Sequence, residues 1–320
     1  PDLFMHVLVD EIPLYLEENP DHPHGYFVGT YGSVKSELLK IFIHTYVSKP
    51  RYGSVVLIEP SGRLAKEVAQ WRELNKRNRL IYIRPTLGKG MSPVINPFEI
   101  YGVDADDYSE EALSVKRVVG DELVSAIGRI VSEGGGFLTP LMETVLISCV
   151  LVLLDKPDAT LVDLQKLVNH DEELLKFAQS LRHHETLAEY FVLDKTGFDS
   201  PGNKQTKEAV SRRLDMLLNV GVFRRMTCGK STVFLEKEVN KKKVIIFDLN
   251  KKSIPPREGA AIGSLVVGML MGIASRREGL PESKLVPCTI MIDECQNYIT
   301  DSIEDILSEA RKYRMLLNLS

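Results

Sequence analysis

The chain has 320 residues, 44% of them hydrophobic, and a formal net charge of −4 at pH 7. This length fits one large domain with an insertion, or two domains. The mild charge predicts no general affinity for nucleic acid, so any contact with DNA requires a local basic patch. The four cysteines lack C-x-x-C spacing, which favours reduced thiols in a cytoplasmic protein over disulfides or a zinc site.

The first predicted elements are a short strand, a glycine-containing loop and a helix. The strand covers the apolar run 26–28, and the helix begins at Ser36. The loop between them consists of Gly29, Thr30, Tyr31, Gly32, Ser33, Val34, Lys35 and Ser36. In a phosphate-binding loop of this kind, backbone N–H groups bind phosphate oxygens, the lysine (Lys35) bridges the terminal phosphates, and the serine (Ser36) binds Mg2+.

The loop departs from the G-x-x-x-x-G-K-[ST] pattern at Val34, which stands where that pattern has its second glycine. A β-branched residue is unfavourable where the backbone needs positive φ or close approach to a phosphate, and such strain costs about 1–3 kcal/mol. The alternative to a working nucleotide site is therefore a loop that keeps its shape but binds nucleotide weakly or not at all.

Further along the chain, continuous apolar runs bounded by turn residues predict buried parallel strands. These runs are 54–60, 80–85, 241–249, 286–293 and 314–320, with a helix over 63–75 and a closing segment at 95–100. The strands come from both ends of the sequence. The predicted fold is therefore α/β, with a mostly parallel sheet that a long insertion interrupts.

The insertion, residues 106–235, is predicted to be all-α. Apolar residues recur there at helical spacing, and Thr160 with Asp163 resembles a capping pair. Residues 1–105 and 236–320 then form the nucleotide-binding domain. Two apolar stretches, 141–154 and 259–274, are shorter than a bilayer-spanning helix, so we expect both to be buried helices.

Two adjacent carboxylates, Asp293 and Glu294, directly follow the apolar run 290–292. Burial strongly disfavours an isolated carboxylate, so such a pair at a strand end generally binds something. Hydrated Mg2+ beside a nucleoside triphosphate is the common case. The sequence therefore predicts that this strand end faces the phosphate loop.

Several segments resemble the type IV coupling proteins of conjugation (TraG/TraD-like) and the wider HerA/FtsK superfamily of P-loop ATPases. The segments are YFVGTYGSVKSELL, VVLIEPSGRLAKEV, INPFEI and IDECQNY followed by SIEDILSEARKYRMLL. The resemblance covers nearly the whole chain. It implies a RecA-like P-loop NTPase core that forms a hexameric ring and hydrolyses ATP with Mg2+ to translocate DNA.

The resemblance also implies roles for individual residues. Asp293 would hold Mg2+ through water, and Glu294 would orient or deprotonate the attacking water. Arg311 would be an arginine finger that reaches the nucleotide of a neighbouring subunit. The alternative for Arg311 is a surface cation paired with Glu309.

The partners implied by this likeness are DNA, further copies of the chain, a relaxase and the proteins of a secretion channel. We expect membrane attachment only through a segment preceding Pro1, at the inner face of the cell membrane, and a sensor of the γ-phosphate beyond Ser320. Two alternatives stay open: a HerA-like DNA-processing translocase, and a P-loop scaffold that does not hydrolyse ATP, which Val34 favours.

The remaining polar residues carry weaker predictions. His22 and His24 form an isolated pair, and we expect the neighbouring His183 and His184 to point in different directions on a helix and to be solvated. Glu59 ends a strand, either within the site or as a loop cap. Basic pairs and triplets that could line a DNA channel lie at 224–225, 241–243, 251–252 and 276–277.

Overall fold

The computed structural model describes residues 24–29, 35–48, 52–76, 78–85, 92–132, 138–193, 196–219, 221–278, 280–298 and 313–320. Its strands form one sheet of the order β1-β6-β5-β2-β4-β3, and every pairing is parallel. The strands are β1 (Gly25–Tyr26), β2 (Ser54–Glu59), β3 (Leu80–Ile83), β4 (Val244–Asp248), β5 (Cys288–Ile292) and β6 (Met315–Leu319). The predicted α/β fold with a parallel sheet is confirmed.

Helices cover both faces of this sheet. They are α1 (Lys35–Ser48), α2 (Arg63–Ala69), α3 (Arg72–Lys76), α4 (Glu110–Ser132), α5 (Pro140–Leu154), α6 (Leu161–Val168), α7 (Glu172–Gln179), α8 (Glu185–Val192), α9 (Lys204–Leu218), α10 (Gly221–Thr227), α11 (Leu235–Asn240) and α12 (Pro256–Ser275). Short 3-10 turns lie at Pro201–Asn203, Glu282–Lys284 and Cys295–Asn297.

The three central strands β2, β4 and β5 are buried along their whole length. Successive strand residues point to opposite faces, so Val55 and Leu57 join a cluster with α1, α2 and α3. Val56 and Ile58 instead join the larger cluster that includes α12 and the helices between β3 and β4. This two-sided burial explains why the strands are continuous apolar runs rather than alternating ones.

The region between β3 and β4 is helical throughout its regular elements, as predicted. Its first long helix, α4, packs along α12, and its apolar residues belong to the same core cluster as one face of the sheet. Thr160 and Asp163 form the predicted capping box at the start of α6. The boundaries of an insertion domain at 106 and 235 stay a prediction.

Two details of the predicted elements are wrong. The helix predicted over 63–75 is two helices, because Gln70 and Trp71 turn the chain between α2 and α3. The second apolar helix, α12, has 20 residues, since it begins at Pro256, ahead of the uncharged stretch. By length and composition α12 could cross a membrane, but most of it is buried, as expected of a core helix.

Candidate functional site

The carboxyl ends of three neighbouring strands bring three buried acidic residues to one edge of the sheet. Glu59 ends β2, Asp248 ends β4 and Asp293 follows β5. In a parallel α/β sheet, ligands bind in the crevice outside the carboxyl ends of the strands. The three carboxylates have different hydrogen-bond and charged partners within the protein. These partners distinguish the carboxylates with a structural role from the one that we consider a candidate binding residue.

Asp293 is 7% exposed and is held in place by its backbone, whose N–H donates to the carbonyl oxygen of Ile58 at 3.0 Å. Burial raises the pKa of its carboxyl group, and the neighbouring Glu294 adds to that rise. The ammonium group of Lys35 acts in the opposite direction and lowers the same pKa. The predicted lysine at the start of α1 therefore lies within electrostatic reach of the predicted strand-end carboxylate.

Glu294 turns the chain sharply as it leaves β5. Its backbone is left-handed, with φ 53° and ψ 51°, a conformation that few residues other than glycine adopt. Its carboxylate accepts a hydrogen bond from Gln296 Nε2 at 2.5 Å, and its carbonyl accepts one from Asn297 Nδ2 at 2.8 Å. The strained turn thus brings Glu294 beside Asp293 and fixes its side chain.

Tyr298 lies behind this turn and connects it to α12. Its side chain is buried, and its backbone carbonyl accepts a hydrogen bond from Ser264 Oγ at 3.1 Å. Burial raises the pKa of Tyr298, and the carboxylates of Glu59, Asp293 and Glu294 raise it further. The ring therefore faces the acidic edge of the sheet and supports the turn from below.

Glu59 caps a loop, which is one of the two roles that the sequence predicts for it. One carboxylate oxygen accepts from the Ser61 N–H at 2.7 Å, and the other accepts from the Gly62 N–H at 2.6 Å and the Ala65 N–H at 3.4 Å. These donors belong to the turn before α2 and to its first residues, which have no partners inside the helix. Burial raises the pKa of Glu59 despite these hydrogen bonds.

Asp248 is the acidic residue that sequence reasoning missed. It accepts a short hydrogen bond from the Tyr82 hydroxyl, and Arg84 Nε lies 3.8 Å from the same oxygen. Its other oxygen accepts from the Asn250 N–H at 3.3 Å. An apolar strand ended by an acidic residue, as at Asp293, is the signal that could have found it. The Asp248 carboxylate is thus paired with Tyr82 and Arg84 within the protein.

The remaining predicted site residues divide into two groups. Gly29 is exposed just after β1, while Lys35 and Ser36 occupy the first turn of α1. Thr30, Tyr31, Gly32, Ser33 and Val34 lie outside the described residues, as do Arg311 and Glu309. Their predicted roles stay predictions.

The basic clusters lie in different places. Lys251 and Lys252 are exposed beyond β4, at the same edge as Asp293. The triplet 241–243 precedes β4 and so lies at the opposite edge. Arg277 is 5% exposed and donates to the Tyr313 carbonyl at 2.9 Å, while Arg276 pairs with Glu236. The suggestion that 276–277 lines a DNA channel is therefore wrong, because these two side chains are occupied within the protein.

Three solved structures share this architecture. The bacterial conjugative coupling protein TrwBdeltaN70, in its unbound form, matches with a TM-score of 0.57 and 14% identity over 94% of this chain and 62% of that one. TrwB in complex with ADP and Mg2+ matches with a TM-score of 0.55 and 14% identity, over 94% and 64% of the two chains. VirB4 of Thermoanaerobacter pseudethanolicus matches with a TM-score of 0.51 and 15% identity, over 93% and 69%.

No family model matches the chain, and no curated protein matches its sequence. The chain spans less than two thirds of the length of TrwBdeltaN70. At sequence identities of 14–15% the likeness shows the fold alone. The resemblance inferred from the sequence is confirmed for the fold. The chain has the RecA-like α/β fold of the conjugative coupling protein TrwB and of VirB4.

Proposed function

We propose that this chain is the core of an ATP-driven DNA-translocating motor of the conjugative coupling type, which feeds DNA to a secretion channel. One observation carries the proposal: Lys35 begins the helix that comes after β1 and Asp293 follows β5, so the parallel sheet brings both to its carboxyl edge, where the lysine lowers the pKa of the carboxyl group. A phosphate-binding lysine opposite a metal-binding carboxylate is the minimum that phosphoryl transfer requires. A solved structure that shares the fold, TrwB, is a complex with ADP and Mg2+.

Asp293 also fits the Mg2+ ion that such a site uses. Its pKa is raised by burial, so additional positive charge beside the carboxylate would favour the ionised form. Ser36 is exposed in the first turn of α1, where a hydroxyl is free to join the same ion. When bound, Mg2+ neutralises charge that develops on the phosphate oxygens. Asp293 and Ser36 are the residues we assign to it.

Glu294 is the residue we assign to the attacking water. Its side chain is half-buried; Gln296 donates to one carboxylate oxygen, and among the described residues none donates to the other, which can accept a proton. We assign Arg311 to the nucleotide of the adjacent subunit in a homo-hexamer, as an arginine finger. In that arrangement hydrolysis depends on assembly, because part of each site comes from a neighbour.

DNA is the proposed cargo, and Lys251 with Lys252 is the pair we assign to its backbone. Both are exposed at the edge of the sheet that carries Asp293, and phosphate contacts need cations rather than base-reading groups. A relaxase and secretion-channel proteins are the further partners. The proposed location of the protein is the cytoplasm, at the inner face of the cell membrane.

The test is DNA-stimulated ATP hydrolysis by the chain and by Glu294→Gln. We expect the substitution to abolish turnover while ATP still binds, because it removes the proton acceptor and leaves the phosphate contacts. Glu278→Gln, exposed after α12, is the matched control and should retain activity. Unchanged hydrolysis in Glu294→Gln would remove this residue from the mechanism, and absence of DNA stimulation would argue against a translocase.

A P-loop scaffold without hydrolysis is the second candidate, and Val34 is the observation that favours it. Calorimetric titration of ATP into the chain and into Val34→Gly separates the two. Binding that appears only in the glycine variant would support the scaffold for the natural sequence. Binding by both would support the motor, and binding by neither would contradict the location of the phosphate site.

A further inference from the structure

A cluster of two histidines and one aspartate lies in the helical region, away from the sheet edge. Asp155 follows the last residue of α5, and His183 and His184 lie in the turn before α8. His183 Nε2 is 2.9 Å from Asp155 Oδ2, and His184 Nε2 is 3.6 Å from the same oxygen. The expectation that the two histidines diverge on a helix is wrong, because a turn lets adjacent side chains converge.

Two of the three separations between these atoms are close to those of a tetrahedral metal site. Bonds of about 2.0–2.1 Å to zinc at tetrahedral angles place the ligand atoms roughly 3.3 Å from one another. The two measured separations lie on either side of that value, and all three candidate ligand atoms are within 4.8 Å of one another. The two histidine nitrogens lie within 4.8 Å of each other, and an ion held between them would draw them toward the tetrahedral separation.

Neighbouring residues orient the candidate ligand side chains but leave the proposed ligand atom of Asp155 available to a metal. Lys116 Nζ donates to Asp155 Oδ1 at 2.8 Å, which leaves Oδ2 directed toward the histidines. The same ammonium donates to the carbonyls of Ala105 and Asp107, at 2.7 and 2.9 Å, so part of its charge is compensated elsewhere. The Tyr108 ring stacks on His183 with centroids 3.8 Å apart. Partners that orient a metal ligand in this way raise metal affinity.

We propose that Asp155 Oδ2, His183 Nε2 and His184 Nε2 bind a divalent transition metal of the zinc class, with water as the fourth ligand. The side chains of His183 and His184 are 19% and 28% exposed, so an ion and its water have access from solvent. Nε2 of His183 can bind a metal only when it carries no proton, so in the metal-bound chain the neutral ring would carry its proton on Nδ1.

The bound ion would join the end of α5 to the turn before α8. These two points are otherwise connected by the His183–Asp155 hydrogen bond and by the packing of α6 and α7. Because the ligands are brought together only in the folded chain, metal binding favours the folded state. The site is therefore structural in role, and it does not depend on the proposed motor activity.

The test is calorimetric titration of Zn2+ into the EDTA-treated and dialysed chain, with Co2+ absorption as a second measurement. We expect one ion per chain, and we expect His183→Ala and His184→Ala each to weaken binding by about 100-fold or more. His170→Ala is the matched control: His170 also pairs with an aspartate, Asp199, but no second histidine from the described part of the chain joins that pair. The His170→Ala variant should bind Zn2+ with the affinity of the unaltered chain.

Bound Co2+ should show the intense visible absorption of a four-coordinate ion, and the signal should disappear on addition of Zn2+. This measurement uses the unaltered chain, so it holds even where a histidine variant fails to fold. Absence of stoichiometric binding would overturn the proposal. Zn2+ binding that survives in both histidine variants would also overturn it, since the ion would then lie elsewhere. A cobalt spectrum typical of a six-coordinate ion would contradict the proposed tetrahedral site.

Discussion

Gly263 and Tyr298 approach each other so closely that a Cβ atom on Gly263 would lie 2.2 Å from Cδ1 of the tyrosine ring. The helix α12 thereby presses against the segment that follows Glu294. The neighbouring Ser264 adds a hydrogen bond to the Tyr298 carbonyl. The turn at Glu294 is thus positioned by a helix whose sequence shows only an apolar, glycine-containing stretch.

Gly263→Ala should therefore destabilise the fold and disturb the site. The added Cβ would collide with a buried ring, and overpacking of this kind costs about 1–3 kcal/mol. Gly272→Ala on the same helix is the control, because its Cβ would be an ordinary 3.7 Å from Glu122. That variant should be neutral or gain up to about 1 kcal/mol from helix propensity. Chemical denaturation compares the two, and equal stabilities would refute the contact.

Asp293→Asn should make the nucleotide-free chain more stable at neutral pH. Burial raises the pKa of Asp293, so the folded state binds this proton more tightly than the unfolded chain does. The free energy of unfolding therefore falls as the pH rises from the ordinary carboxyl pKa to the raised pKa of folded Asp293. Above the raised pKa the free energy of unfolding stays at this lower value. An uncharged amide avoids that loss. The gain in Tm should shrink as the pH is lowered toward about 4.

Asp248→Asn is the control for that experiment and should behave in the opposite way. Its carboxylate accepts from the Tyr82 hydroxyl and lies beside Arg84, so an amide leaves buried groups without a full partner. Such losses cost about 1–3 kcal/mol. A fall in Tm for both variants would mean that Asp293 is also compensated within the protein. That result would weaken its assignment to a metal ion.

Much of the site followed from the sequence because it depends on local patterns. An apolar run that ends in Asp293 predicted both the strand and the acidic residue at its carboxyl end. The Lys35–Ser36 pair ahead of an apolar segment predicted the start of α1. Parallel strands with two-sided burial then required the two halves to meet at one edge.

The rest depended on contacts between distant residues, which no local pattern contains. The pair Lys116–Asp155 and the approach of His183 to Asp155 arise from the packing of helices that are separate in sequence. Arg277 has the sequence context of a surface cation, yet it is buried and its Nη1 donates to the Tyr313 carbonyl. Charge and spacing alone could not distinguish these buried groups from solvated ones.

Lys116→Met tests the ion pair that anchors α4 to the end of α5. The side chains of Lys116 and Asp155 are 3% and 0% exposed, so removal of the ammonium leaves a buried charge without its main partner. That costs about 3–5 kcal/mol of unfolding free energy. Arg117→Met is the control, since Arg117 and Asp121 form an exposed pair worth roughly 0.5 kcal/mol.

Both variants are best compared by urea denaturation with EDTA present, so that no metal contributes to the result. Equal losses for Lys116→Met and Arg117→Met would show that solvent reaches Asp155 in the native state. A large loss confined to Lys116→Met would support the buried pair and, with it, the orientation of Asp155 Oδ2.

Glu59→Gln tests whether the acidic residue at the end of β2 serves the loop that it caps. Two strong donors, the N–H groups of Ser61 and Gly62, face its two oxygens. An amide has one oxygen, so its NH2 group would face a donor, and the buried mismatch should cost about 1–3 kcal/mol. Glu73→Gln, exposed at the start of α3, should change stability by less than about 0.5 kcal/mol.

Amide hydrogen exchange sharpens this last comparison. In Glu59→Gln the N–H of either Ser61 or Gly62 loses its acceptor, so exchange in this turn should accelerate more than the global loss of stability explains. Nucleotide affinity should be retained, because the cap contacts the turn before α2 rather than Lys35 or Asp293. If ATP affinity fell while the turn stayed protected, Glu59 would belong to the nucleotide site and its role as a cap would be secondary.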